Sequence, residues 1–337
     1  MSYPPRSTAI DGDPARGGSL SGCSGWVITD GKTGMDVQAR GVADALGVDY
    51  EMKHVEPQGL WAMAAPWGPI APSERFGQTG SLFSPPWPDI AIATGRASIP
   101  YMRVLRRHSP STYTVVLQDP KTRPSIADLI WVPAHDRRRG ANVITTLTAP
   151  HSFSQDRLAA LRGTLPSDIA ALQGRRMAVI LGGNNAVYRF TETDAAHLAG
   201  ALASLAALGA SFMITPSRRT PKPLIEAVER ATAGRPRLVW DGQGDNPYPQ
   251  FLAHADALIV TADSVNMCGE ACATGRPVYV FAPSGGSAKF ARFHDGLRAA
   301  GATRALPKRF DADEHWSYPA LDSAAMIARQ IRARWRQ

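Results

Sequence analysis

The sequence has few cysteines and no long apolar run. Its 337 residues include three cysteines, an odd and sparse set that argues against a disulfide framework and favours a reducing compartment. No apolar run of about 18 residues occurs, so we expect no membrane-spanning helix. Cys268 and Cys272 lie one helical turn apart, a spacing that two metal ligands can have, but no second pair or histidine cluster accompanies them. We therefore expect two small buried residues and no metal site.

The first 25 residues lack the apolar segment of a secretory signal. They are rich in Ser, Gly, Pro and Asp, and we predict a disordered leader over residues 1–25. Without a signal or a spanning segment, the sequence favours a cytoplasmic protein.

Charge is the most unusual feature of the composition. Thirty-seven Lys and Arg against 29 Asp and Glu leave a net charge of +8. Such a balance favours phosphate-bearing partners or an anionic membrane surface. No nucleic-acid-binding motif is present, so we expect no nucleic-acid partner.

Apolar strands alternate with helical segments twice along the chain, which is typical of parallel sheets covered on both faces. We predict an α/β protein with two Rossmann-like doubly wound parallel-sheet domains facing across a cleft. The predicted strands lie at residues 26–29, 90–95, 114–120, 128–136 and 142–146, and then at 177–183, 211–216, 237–240, 257–262 and 277–283. The predicted units are an N-terminal domain over 26–160, a C-terminal domain over 170–315, and a helix within 316–337 that can cross back onto the first domain.

The segment from Pro57 to Pro88 is rich in Pro and Gly but carries five large aromatic residues, Trp61, Trp67, Phe76, Phe83 and Trp87. Two interpretations remain open. The aromatics either pack over the sheet as an ordered loop, or they form an exposed patch that enters a lipid interface. Nearby arginines give weight to the second interpretation, although a solvated basic face would also explain them.

Ligands of open parallel sheets gather beyond the carboxyl ends of strands. There the second domain has Gly182, Gly183 and Asn184, where a phosphate can approach the backbone, although a tight turn explains the glycines equally well. The next loop has Ser217, Arg218 and Arg219, a pattern that indicates diphosphate binding or a solvent-facing basic turn.

The loop after the fourth strand of this domain is the most informative. Asp263 or Ser264 can cap the following helix, and Glu270 lies on its second turn. A glutamate there can accept hydrogen bonds from ribose hydroxyls, whereas a solvent-facing carboxylate is the alternative.

The segment TADSVNMCGEACATGRPVYVF resembles the donor-binding segment of GT-B glycosyltransferases. Together with DGKTGMDVQARGVADALG and LGGNNAVYRFT, it makes residues 26–335 similar to the Elm-type (elongated mitochondria) mitochondrial-fission family. The resemblance implies a sugar transferase whose N-terminal domain takes the acceptor and whose C-terminal domain binds a nucleotide sugar as substrate, with no cofactor. It also implies that Glu270 contacts the ribose, that Ser264 and Asn266 lie on the diphosphate side, and that 182–184 hold phosphates.

Transfer of a sugar needs counter-charge for the leaving diphosphate and a base for the acceptor hydroxyl. Arg218, Arg219 and Lys289 are the expected counter-charges, in place of a metal ion. Asp30 is the first candidate for the base and His135 the second, since both end strands of the first domain; Asp119 ends another. Gly31, Lys32, Gly34 and Gln38 would then shape the acceptor pocket. The DGKTG turn lacks the first glycine of a P-loop.

Two other functions are compatible with these residues. One is a hydrolysing nucleotide-sugar epimerase, which would share the fold and the donor site. The other is a non-catalytic adaptor of the mitochondrial-fission type. For a transferase, the basic and aromatic first half favours a lipid or saccharide acceptor at an anionic surface, with the protein peripheral at the inner membrane face.

Overall fold

The computed structural model describes residues 20–311 and 314–335. Its strands are β1 (Ser24–Thr29), β2 (Asp49–His54), β3 (Ile90–Thr94), β4 (Tyr113–Leu117), β5 (Leu129–Pro133), β6 (Val143–Thr146), β7 (Arg176–Leu181), β8 (Tyr188–Arg189), β9 (Ser211–Pro216), β10 (Arg237–Val239), β11 (Ala257–Thr261), β12 (Val278–Phe281), β13 (Ser284–Gly285) and β14 (Thr303–Ala305). Its α-helices are α1 (Thr33–Leu46), α2 (Gly59–Ala64), α3 (Ile99–His108), α4 (Gln155–Arg162), α5 (Ser167–Ala170), α6 (Glu192–Ala207), α7 (Lys222–Thr232), α8 (Tyr248–His254), α9 (Val265–Cys272), α10 (Ala288–Ala299) and α11 (Ser323–Arg334).

Twelve of these strands form two six-stranded parallel sheets, which define the N-lobe (β1 to β6) and the C-lobe (β7 to β14), and β8 and β13 pair with each other as a short antiparallel sheet. The orders are β2-β1-β3-β4-β5-β6 and β10-β9-β7-β11-β12-β14. Central strands such as β3 and β11 are buried along their whole length, as parallel strands between two helical layers must be. The expected α/β architecture of two Rossmann-like domains is therefore present.

Two edge strands, β2 and β14, were not predicted from the sequence. β2 has the polar sequence DYEMKH and is only partly buried, because a single neighbour, β1, covers one of its edges. β14 is only three residues long and pairs with β12 alone. Neither carries the apolar run by which the buried strands are recognised.

Each sheet has one point at which the strand order changes direction. It lies between β1 and β3 in the N-lobe and between β7 and β11 in the C-lobe. In doubly wound folds, ligands bind at the carboxyl ends of the two strands on either side of this reversal, because the loops diverge there. The residues that follow these four strands are Asp30, Gly95, Gly182 and the segment 262–264.

The last helix returns to the N-lobe. Ile327, Ala328 and Ile331 of α11 are fully buried in the N-lobe core, against α1. Arg332 donates a hydrogen bond to the carbonyl oxygen of Ala45 at 2.7 Å, near the end of α1. The chain thus crosses between the lobes a second time.

The N-terminal boundary differs from the predicted one. Residues 1–19 of the predicted leader lie outside the described residues, but Leu20 is 4% exposed and packs in the N-lobe core. β1 begins at Ser24, inside the predicted leader. The interpretation of residues 20–25 as disordered was wrong. The polar composition of the first 25 residues does not show that Leu20 is buried.

The aromatic segment divides into two parts. Phe76 stacks on Phe83 at 4.9 Å between ring centroids, and Phe83 lies 5.7 Å from Trp26 of β1, so this part packs over the sheet. In contrast, Trp67 is 66% exposed. The ordered-loop interpretation is thus correct for Phe76 and Phe83, whereas entry of the segment into a lipid interface stays a prediction.

Within the described ranges, no helix is both long and apolar enough to cross a bilayer. The same residues contain no group of three or more His, Cys, Asp or Glu that could hold a metal ion. Cys268 and Cys272 are fully buried in the C-lobe core.

Candidate functional site

Close packing explains the glycines after β7. A Cβ at Gly182 would lie 2.2 Å from Oδ2 of Asp263, and one at Gly183 would lie 2.1 Å from the carbonyl oxygen of Arg219. The N–H of Gly182 donates to Oγ1 of Thr261 at 2.7 Å, and that of Gly183 donates to Oδ2 of Asp263 at 2.9 Å. Both amides are therefore used within the protein, which corrects the expectation that they hold phosphates.

Asn184 is exposed beyond these glycines. Its Oδ1 accepts a hydrogen bond from the N–H of Phe190 at 2.8 Å, which fixes the loop and leaves the amide nitrogen at the surface. Of the three residues predicted in this loop, only Asn184 presents a side chain outward.

Asp263 is the buried acid that organises this loop. It is 4% exposed, and its backbone carbonyl accepts a hydrogen bond from Nδ2 of Asn185 at 3.2 Å. Burial raises the pKa of Asp263, while hydrogen bonds from Thr261 and Gly183 and the nearby Arg219 cation oppose the rise. Asp263 is thus a positioning residue for the loop after β7 and not the helix cap.

Arg218 and Arg219 are both exposed on the neighbouring loop after β9. The hydroxyl of Ser217 accepts a hydrogen bond from the N–H of Arg219 at 3.3 Å, and it contacts Thr220 Oγ1 at 3.0 Å. The Ser217 side chain thus holds the turn that carries the two arginines. The guanidinium groups are free to approach an anion from solvent.

The N-terminus of α9 points toward the seam between the lobes. Ser264 caps it, since its hydroxyl accepts from the N–H of Met267 at 3.4 Å. Asn266 is exposed, and its Nδ2 lies 3.9 Å from where a Cβ on Gly34 of α1 would stand. The positive ends of two helix dipoles, from α1 and α9, therefore face the same part of the seam.

Glu270 is partly exposed on α9. Its Oε2 accepts a hydrogen bond of 2.6 Å from the hydroxyl of Tyr248, at the start of α8. Burial raises the pKa of Glu270 to about 7, and the hydrogen bond from Tyr248 and the Arg157 cation oppose the rise. Glu270 is thus only partly exposed, and the hydroxyl of Tyr248 already occupies one of its carboxylate oxygens.

Tyr248 is a site residue that sequence reasoning missed. It lies 22 positions before Glu270, on a different helix, and its ring also packs edge-on against Phe153 at 5.8 Å. The sequence around Tyr248 does not indicate which residue its hydroxyl bonds to. The contact with Glu270 arises only when α8 and α9 pack together.

Asp30 lies at the mouth of a cavity of about 560 Å³ on the N-lobe. It forms an ion pair with Lys32, and its carboxylate lies 3.5 to 3.6 Å from where a Cβ on Gly95 would stand. The cavity lining includes Asp30, Lys32, Trp67, Gly95, Gln118 and Asp119. Of the predicted pocket residues Gly31, Lys32, Gly34 and Gln38, only Lys32 lines it.

Gln38 and Asp119 have supporting partners. Gln38 is buried and accepts a hydrogen bond from Gln118 at 2.9 Å, so it orients a residue of the cavity wall. Asp119 pairs with Arg138 at 2.7 Å and with Lys121 at 2.8 Å. Asp119 is thus held by two cations and Asp30 by Lys32, so Asp30 remains the first candidate for the base.

His135 and Lys289 belong to the contact between the lobes. The His135 ring packs edge-on against Phe293 at 5.5 Å, and Lys289 pairs with Asp136 at 2.7 Å. Burial, followed by the nearby Lys289 cation, lowers the pKa of His135. Lys289 therefore lies in the contact between the lobes, and its role as a counter-charge for a diphosphate stays a prediction. His135 does not line the cavity beside Asp30.

The twin lobes, the reversed strand orders and the seam between α1 and α9 define a GT-B-like fold of two Rossmann-like lobes. Two solved structures share this fold. UDP-GlcNAc 2-epimerase from Methanocaldococcus jannaschii is 9% identical, with a TM-score of 0.50 over 92% of this chain and 99% of that chain. The S. aureus MnaA–UDP co-structure is also 9% identical, with a TM-score of 0.51 over 91% of this chain and 87% of that chain.

The chain belongs to the mitochondrial fission ELM1 family, whose model matches residues 33–335. The Arabidopsis thaliana mitochondrial fission protein ELM1 is 30% identical over 270 residues, which are 73% of this chain. The match spans 63% of the length of that plant protein.

Proposed function

We propose that the protein transfers a sugar from a nucleotide diphosphate sugar, held by the C-lobe, to an acceptor seated in the N-lobe cavity. Glu270 would accept the ribose hydroxyls. Arg218, Arg219 and the N-termini of α1 and α9 would carry the charge of the diphosphate, and Asp30 would take the acceptor proton.

The observation that carries the proposal is the seam where Asn266 of α9 faces Gly34 of α1. A diphosphate there would lie at two helix N-termini. Partly exposed Glu270 lies toward the C-terminal end of α9, and Asp30 lies just before α1. The two UDP-related structures of the same fold support a nucleotide sugar as the donor.

A hydrolysing epimerase is the second candidate, favoured by the fold shared with the UDP-GlcNAc 2-epimerase from Methanocaldococcus jannaschii. An epimerase needs no separate acceptor site, whereas this chain has a cavity of about 560 Å³ beside Asp30. Product analysis separates the candidates. An isomerised sugar formed without acceptor would support the epimerase, and binding without any turnover would support an adaptor.

Calorimetry with a panel of nucleoside diphosphates and their sugars tests the donor site. We expect at least one of them to bind, and we expect Arg219→Ala to weaken its binding by about 1 to 3 kcal/mol because a charged hydrogen bond is lost. Arg230→Ala is the matched control, since that arginine is 73% exposed on α7 and pairs with Glu226 of the same helix. No binding up to about 1 mM, or equal losses in both variants, would contradict the proposal.

Binding of a nucleotide sugar should also depend on pH through Glu270. Its pKa is raised to about 7, so the ionised form that best accepts ribose hydroxyls is the minor form at pH 6 and the major form at pH 8. We expect affinity to rise by about tenfold over this range, following the ionised fraction. The diphosphate of a nucleotide sugar has no ionisation near pH 7, and Glu270→Gln should flatten the profile. A profile that keeps its slope in this variant would assign the titration to another group.

A further inference from the structure

The most exposed apolar side chains of the described chain lie together on the N-lobe. Leu60 is 78% exposed, Met63 72% and Trp67 66%. Leu60 and Met63 belong to α2, a helix with no buried residue, and Trp67 follows three residues after its end. Single exposed apolar residues are ordinary on soluble proteins, whereas three large ones within one short segment indicate a contact surface.

Two arginines hold the backbone of this segment in place. Arg96 donates to the carbonyl oxygens of Ala65 and Met63, the latter at 2.6 Å. Arg103 donates to the three following carbonyls, Pro66 at 2.6 Å and both Trp67 and Gly68 at 2.9 Å. The exposed side chains therefore project from a fixed backbone, and little ordering would be needed when they meet a partner.

Positive charge lies beside Trp67. A groove of about 730 Å³ beside Trp67 is lined by Arg103, Arg107, Lys121 and Arg123. Among the described residues, Arg107 and Arg123 form no ion pair, and Arg103 is bonded to carbonyl oxygens, which leave its charge uncompensated. Burial, followed by the Arg107 cation, lowers the pKa of Arg103, as expected where cations crowd.

We propose that this docking surface, made of Leu60, Met63, Trp67, Arg107 and Arg123, binds the N-lobe to a bilayer that contains anionic phospholipid. The apolar side chains enter the boundary between headgroups and acyl chains, and the two arginines bind lipid phosphates. Trp67 suits this depth, because its indole N–H already donates to the carbonyl of Lys121 at 3.0 Å while its ring stays exposed.

The shape of the surface favours a bilayer over a protein or a nucleic acid. The apolar side chains protrude from the helix and its following turn, and a fluid layer accommodates protruding groups without a matching cavity. A polyanion alone would use the arginines and leave Leu60 and Met63 in water.

Docking would bring the proposed acceptor site to the membrane. Trp67 and Lys121 line both the basic groove and the cavity beside Asp30. The mouth of that cavity would therefore open near the lipid phosphates. Docking itself needs no nucleotide, so it can be tested apart from the proposed function.

Flotation of the full chain with vesicles tests the proposal. We expect binding to vesicles of phosphatidylcholine with phosphatidylglycerol, little binding to phosphatidylcholine alone, and a decrease with added salt. The triple variant Leu60→Ser, Met63→Ser, Trp67→Ser and the double variant Arg107→Gln, Arg123→Gln should each lose about tenfold or more in affinity. Thermal unfolding of each variant checks that it is folded.

The control variant Leu165→Ser, Leu208→Ser removes two apolar side chains that are each 48% exposed elsewhere, and it should bind vesicles like the parent. Brominated lipid should quench tryptophan emission in the parent and less so in Trp67→Phe. Equal binding to both vesicle types, undiminished binding by the folded triple variant, or binding of RNA without binding of vesicles would overturn the proposal. Glu270→Gln should still bind vesicles, so a failure of the donor site remains distinguishable.

Discussion

Asp30→Asn should lower the rate of sugar transfer by about 10²- to 10⁴-fold, the usual contribution of a general base. The asparagine keeps the shape of the side chain but cannot take the acceptor proton. The affinity for the nucleotide sugar should stay unchanged, because the proposed donor contacts lie mainly on the C-lobe. The measurement is release of nucleoside diphosphate from a nucleotide sugar in the presence of a membrane lipid extract, with donor affinity from calorimetry.

Asp49→Asn is the control, because this exposed aspartate at the start of β2 lies at the opposite end of β1 from Asp30. His135→Gln should have a smaller effect than Asp30→Asn, since His135 packs in the seam and not in the cavity. A large loss in His135→Gln together with full activity in Asp30→Asn would move the base to His135.

Gly183→Ala should both destabilise the C-lobe and weaken donor binding. The added methyl would lie 2.1 Å from the carbonyl oxygen of Arg219 and 2.2 Å from its carbonyl carbon, and backbone atoms cannot rotate away as a side-chain end can. Overpacking of this kind costs about 1 to 3 kcal/mol of the free energy of unfolding. The loop that carries Arg219 would shift, and the proposed diphosphate contact would shift with it.

Gly234→Ala is the matched control, since a methyl there meets no atom within 4 Å. Urea unfolding gives the change in stability, and calorimetry with the bound nucleotide gives the change in affinity. If Gly183→Ala unfolds like Gly234→Ala, the packing of Gly183 against Arg219 is not as close as the structure places it.

The sequence predicted the buried strands well because each is an apolar run followed by a turn. β7 and β11 follow from the apolar runs MAVILGG and ALIVTA. The edge strand β2 was missed because half of its surface faces away from the core. The polar residues of β2 give no apolar run, and such a run is the local pattern that predicts a strand.

The candidate site was predicted less completely. Glu270 and the Ser264 cap lie on one helix, so a single segment indicated both. The glycine amides after β7 were assigned to phosphate, but Asp263 and Thr261, about 80 positions later, already accept their hydrogen bonds. Lys289 pairs with Asp136 of the other lobe, a contact that the sequence did not indicate.

The sequence by itself determined the alternation of strands and helices, the two Rossmann-like lobes and the basic, aromatic character of the N-lobe. The elements and lobes follow from apolar periodicity, and the basic, aromatic character follows from composition. Both can be read from short stretches of sequence. Only the tertiary structure decided which polar groups remain available to a ligand, that Tyr248 bonds to Glu270, and that Leu60, Met63 and Trp67 stay exposed. The physical reason is that hydrogen-bond partners and exposure depend on segments far apart in the chain, which meet only when the two sheets and the seam have formed.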